Sequence, residues 1–95
     1  MNKYELGVII RPDIEGDDLK GELEKVQELI TRFGGSVDKV DEWGKRRLAY
    51  EIQKFAEGCY AFITFSAEPN APKEIEGRIR FFENVLRYLI VRLEA

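Results

Sequence analysis

The 95 residues make one small domain with a single core, and a hydrophobic fraction of 44% excludes a disordered chain. The net charge is -3, histidine is absent and Cys59 is the single cysteine, so a disulfide framework and a zinc site are excluded and the commonest general base is missing. No catalytic residue, metal or cofactor is therefore expected, and with no membrane-length apolar run and no signal-like N-terminus around Lys3 and Glu5, a reducing cytosol is the expected compartment.

The first predicted element is a strand over 3–10, in which Leu6, Val8 and Ile10 share one face, with Tyr4 at its start, and Pro12 ends it. A helix over 17–33 follows from the spacing of Leu19, Leu23, Val26, Ile30 and Phe33. Asp17 and Asp18 suit its N-terminus and Gly34-Gly35 its end. A long strand or bent ribbon runs from Ser36 to Ile52, with a bulge or bend expected at Gly44. Lys54 to Gly58 reads as a turn, and Tyr60 to Ala67 as the next strand. Asn70 is the expected cap of a second helix, with Pro72 in its first turn and Ile75, Ile79 and Phe82 as its apolar face. A final strand runs from Val85 to Leu93.

The order βαββαβ across a single domain, residues 1–95, is that of an α+β ferredoxin-like fold: a four-stranded antiparallel sheet with two helices on one face. The other sheet face is then open. Strand parity sends Ile9, Tyr60, Phe62, Leu89 and Val91 to that face beside Arg87. Such an apolar patch calls for cover by a second copy, a bent C-terminus, a partner protein or stacked bases. Residues 59–65 echo an RNA-recognition octapeptide, but Gly58-Cys59 replaces its leading basic-Gly pair. Glu5 and Gly7 also stand where the first strand should carry an outward aromatic, so base stacking is not the expected use.

Charge is segregated. Residues 13–28 hold seven acids and two bases, the pattern of a solvated helix face. Residues 45–54 hold four bases (Lys45, Arg46, Arg47 and Lys54) against Glu51, directly after Trp43-Gly44. Adjacent arginines suit phosphate, and the plainer alternative is a charged edge strand that resists aggregation.

The run Trp43-Gly44-Lys45-Arg46-Arg47-Leu48-Ala49-Tyr50-Glu51-Ile52 with Lys54, Gly58 and Tyr60 resembles the bacterial ribosomal small-subunit protein six family. Tyr4-Glu5, Arg11-Pro12-Asp13, Ile79-Arg80 and Val85 to Arg92 extend the resemblance over most of the chain. It implies a structural, non-enzymatic constituent of the small ribosomal subunit in the cytoplasm. By the same likeness the partners are the central domain of 16S ribosomal RNA and small-subunit protein eighteen, bound as a heterodimer. The RNA contacts it implies are Lys45, Arg46, Arg47, Tyr50 and Lys54, with Lys3, Arg87 and Arg92 as additions. The outward apolar residues Ile9, Tyr60, Phe62, Leu89 and Val91 would meet the partner protein.

Two departures lower the charge beside the cluster: Glu51 where the family often has proline, and Phe55-Ala56-Glu57 where relatives can be more basic. The acidic C-terminal extension of some members has no counterpart at Glu94-Ala95, and no modification of such a tail is expected. So few cations bind RNA weakly alone, and a basic partner on the apolar patch would add charge and surface. Two rivals remain. An acyl-phosphate hydrolase of the same topology needs a phosphate-cradling loop after the first strand, but residues 11–17 place one cation among acids, which repel phosphate. A homodimeric or small-molecule-sensing module explains the patch but gives Lys45-Arg46-Arg47 no role.

Overall fold

Alternation of apolar residues along the first strand decides which side of the sheet is covered. In the computed structural model, which describes residues 1–93, β1 spans Asn2–Ile10 and buries Tyr4, Leu6, Val8 and Ile10. Its neighbour β3 (Phe55–Ala67) buries Cys59, Ala61, Ile63, Phe65 and Ala67 by the same period of two. With β2 (Ser36–Ile52) and β4 (Val85–Arg92) these form one sheet of order β2-β3-β1-β4, antiparallel at every pairing. Helices α1 (Gly16–Arg32) and α2 (Ala71–Ile79) pack on one face, closing the ferredoxin-like arrangement. Val26 and Ile30 of α1 and Ile75 and Ile79 of α2 meet Leu6, Ile10, Ile63 and Phe65 in a fully buried core. The Tyr4 and Phe65 rings stack across β1 and β3 at 5.5 Å. Burial pushes the Cys59 thiol up from its usual range, leaving it a small, unreactive core residue.

The helical stripe of α1 is wider than the sequence suggests. Leu29 is buried as well, and so is Glu22, whose carboxylate accepts a hydrogen bond from Asn84 Nδ2 and lies 3.6 Å from Lys25 Nζ. Asp17 and Asp18 lie in the first turn, and Gly34-Gly35 end the helix by donating to the carbonyls of Thr31 and Ile30.

Three expectations are corrected. The strand expected from Tyr60 already begins at Phe55, because the chain reverses at Gln53-Lys54 and not across Lys54 to Gly58. α2 stops at Ile79, so Phe82 packs on the core from the following turn and not from a helix face. Asn70 precedes α2 in a helical conformation and makes no side-chain cap; the Ala71 N–H is satisfied by the Glu68 carbonyl. The end of the chain at Glu94-Ala95 lies outside the described residues.

Candidate nucleic-acid and partner interface

Two features of the fold shape the site: a sheet face without helices and a hairpin longer than the sheet. β3 pairs with β1 only from Cys59 onward, so residues 55–58 run past the sheet with the end of β2 beside them. The two strands reverse through Gln53 (φ 49°) and Lys54 (φ 70°), a two-residue hairpin turn with both central residues left-handed. Neither is glycine, so the turn holds strain of about 1–2 kcal/mol per residue.

The arm bends at two irregularities. A register shift falls at Glu42/Gly44, and Gly44 takes φ 78°, a conformation that a side chain would strain. Beyond it, Arg47 pairs with Glu57 and Ile52 with Phe55, so residues 48–51 stand opposite Ala56 alone. That excess folds the arm back over the open face. Leu48 is buried, and its Cδ2 lies 3.7 Å from where a Cβ on Gly58 would stand. The same Cβ would collide with Ile9 Cγ2, so only glycine at 58 permits this approach.

Further interactions hold the arm to the body. Lys45 Nζ is 3.2 Å from Glu15 Oε1, and this hydrogen bond and charge raise the Lys45 pKa above its ordinary value. The Arg11 guanidinium lies 5.3 Å from the centre of the Phe55 ring. Arg87 Nη1 on β4 donates a hydrogen bond to the Tyr50 hydroxyl, and its guanidinium sits over the Tyr50 ring at 5.9 Å.

The open face itself has the predicted parity. Ile9, Tyr60 and Phe62 are half-buried there, while Leu89 and Val91 are 64% and 40% exposed. Gly7, Ile9, Tyr60, Phe62, Arg87 and Leu89 border a shallow cleft of about 290 Å³. On its β2 side Trp43, half exposed, packs against Phe62 at 4.7 Å. Its indole Nε1 donates to Asp41 Oδ2, which sets the ring orientation, and the Arg46 guanidinium lies 5.8 Å from the ring centre.

The sequence-predicted residues thus separate into groups. Arg46, Tyr50 and Arg87 are gathered round the open face, with Ile9, Tyr60, Phe62 and Leu89 between them. Among the described residues Arg46, Arg47 and Lys54 form no ion pair, whereas Lys45 is held by Glu15. Lys3 and Arg92 are not part of this group. Lys3 is six residues from Ile9 along β1, roughly 20 Å at strand rise, and it faces Asp38 at 3.5 Å. Arg92 pairs opposite Tyr4 and donates to Asn2 Oδ1.

Three participants were not among the site residues expected from the sequence. Trp43 heads the cluster and orients Arg46; Leu48 interrupts the charged run with an apolar side chain; Glu15 neutralises Lys45 from 30 residues away. The first two carried a local signal, an aromatic and a leucine within a basic strand; the third carried none.

The family model described as Ribosomal protein S6 matches residues 3–92. The small ribosomal subunit protein bS6 of Moorella thermoacetica is 44% identical over 94 residues, covering 99% of this chain and 96% of that protein. The protein of the same description from Clostridium acetobutylicum is 42% identical, covering 99% of both chains. The crystal structure of 30S ribosomal protein S6 from Thermotoga maritima superposes with a TM-score of 0.90 at 32% identity, covering 97% of this chain and 87% of that one.

Proposed function

Because the chain belongs to the ribosomal protein S6 family, a structural and non-enzymatic family of the small ribosomal subunit in the cytoplasm, we propose that it binds the central domain of 16S ribosomal RNA jointly with small-subunit protein eighteen. One observation carries this reading: an arm with three cations free of ion pairs among the described residues lies against an uncovered apolar sheet face. The arm supplies Arg46, Arg47 and Lys54, with Tyr50 beside them, to RNA. The face supplies Ile9, Tyr60, Phe62, Leu89 and Val91 to the partner protein. Lys45 contributes less, being held by Glu15, and Lys3 and Arg92 reach only RNA that extends to the far end of β1.

The energetics favour joint binding. Three or so phosphate contacts give modest affinity that falls with salt. Leu89 at 64% exposure and its neighbours gain from burial only when a protein surface covers them. Recognition of RNA shape through phosphates suits a strand arm better than base-by-base reading.

The test is a titration of central-domain RNA with this protein, with and without protein eighteen, across salt concentrations. Arg46→Ala/Arg47→Ala should weaken binding and make the log-log salt slope shallower by roughly 0.7–0.9 for each phosphate no longer neutralised. An unchanged slope, or no gain from the partner, would refute the reading.

A further inference from the structure

Arg87 occupies an unusual position among the cations. Its guanidinium lies over the Tyr50 ring and donates to the Tyr50 hydroxyl, while its backbone sits opposite Ile9 and its side chain borders the apolar cleft with Leu89. It therefore touches both halves of the site: the face left for a protein and the arm that carries Arg46, Arg47 and Lys54.

The arm needs such a tie. Residues 48–51 have Ala56 alone opposite them, the turn beyond is strained, and residues 55–58 have no β1 neighbour. A ladder interrupted in this way opens more readily than the paired sheet. Leu48 pins the base of the arm, but nearer the tip the ties are Arg11 over Phe55 and the Arg87–Tyr50 bond, and Arg87 is the one that borders the cleft.

The geometry points to Arg87 as a positioning residue: it latches Tyr50, and with it the basic arm, to the open sheet face, so that a protein docked on that face raises the affinity of the arm for RNA. This rests on the joint binding proposed above. Tyr50 is 61% exposed and Arg87 is exposed, so in the free protein water competes for their hydrogen bond. A partner covering the cleft excludes that water, and a charge-assisted bond strengthens when its surroundings dry. The ordering entropy of the arm is then met by partner docking, and RNA meets an arm already in place.

The experiment measures one ratio: the dissociation constant for central-domain RNA alone, divided by that with saturating protein eighteen. It is taken for the unaltered protein, Tyr50→Phe, Arg87→Met and the double variant, each checked for folding by circular dichroism and for partner affinity so that saturation is real. If a variant merely removes a side chain that touches RNA, affinity falls equally with and without the partner, and the effect cancels from the ratio. The latch predicts that each single change lowers the ratio by roughly threefold to tenfold, the size of one ordinary net hydrogen bond, because the ratio reads only the strength that the bond gains when the partner docks. The double variant should lower it no further than the larger single effect. Hydrogen exchange at residues 48–56 should slow on partner binding in the unaltered protein and much less in Arg87→Met. Retention of the full ratio in both single variants, or reductions that multiply in the double, overturns the latch while joint binding stands. A ratio of one in the unaltered protein overturns joint binding itself, and the latch with it.

Discussion

Lys45 and Arg46 are adjacent in the chain and opposite in circumstance. Strand alternation sends Lys45 to the helix side, where Glu15 lies 3.2 Å away, and Arg46 to the open side, over Trp43. Two neighbouring cations therefore differ in what they can offer a phosphate. Glu15→Gln should release Lys45: its pKa returns down toward the ordinary lysine value, it stays charged at neutral pH, and RNA affinity rises by about twofold to fivefold at low salt. Filter binding at two salt concentrations checks this, with the gain shrinking at the higher one. Fold stability should change little, since an exposed ion pair contributes little. Sequence reading reached Lys45 as a cation but not as a neutralised one, because the pairing of residues 15 and 45 depends on how α1 begins over the sheet and leaves no local pattern.

The β2–β3 hairpin is the element in which local signals and tertiary demands part company. Its outward face was legible, since Tyr60 and Phe62 follow from parity alone and stand outward, as do Ile9 on β1 and Leu89 and Val91 on β4. Its turn was not. Gly58 looks like a turn residue, but its lack of a side chain serves the close approach of Ile9 and Leu48. The reversal is made by Gln53 and Lys54, residues that no turn preference selects. Gly58→Ala should force Ile9 aside and lift the arm, at a cost of about 1–3 kcal/mol in chemical denaturation, the range for overpacking. RNA affinity should fall with it. The turn responds in the opposite sense: Gln53→Asn/Lys54→Gly puts residues suited to positive φ at both positions and should raise stability by about 1 kcal/mol. The same change removes Lys54 and should weaken RNA binding. A melt and a binding titration on one preparation would display the two effects together, as expected where backbone strain is retained at a working site.

At the scale of the whole molecule the two sheet faces carry opposite burdens. One is covered by α1 and α2, and the exposed side of α1 bears Asp17, Asp18, Glu24 and Glu28; the other is open, with Arg87 at its cleft and Arg46 beside it over Trp43. This separation was legible from the chain alone, because segregated charge and the βαββαβ order both lie in the linear sequence. The folding back of the arm was not, because it depends on the unequal register of residues 48–51. In the assembled complex Lys54 should be protected from amine-reactive reagents while Lys20 and Lys25 on α1 remain reactive; mass spectrometry of the labelled protein would read this directly. Protection of Lys20 and Lys25 would mean that RNA lies on the wrong side.

The acidic back of α1 also acts before protein and RNA touch. Near a polyanion a molecule charged in this way experiences a torque as well as a force: the helix side is pushed away and the arm is turned forward. A protein of net charge -3 can thus approach RNA in a productive orientation despite the overall repulsion. The alignment weakens over a Debye length of about 8 Å at physiological ionic strength, so it acts in the last few ångströms of the encounter and sets how often a collision succeeds.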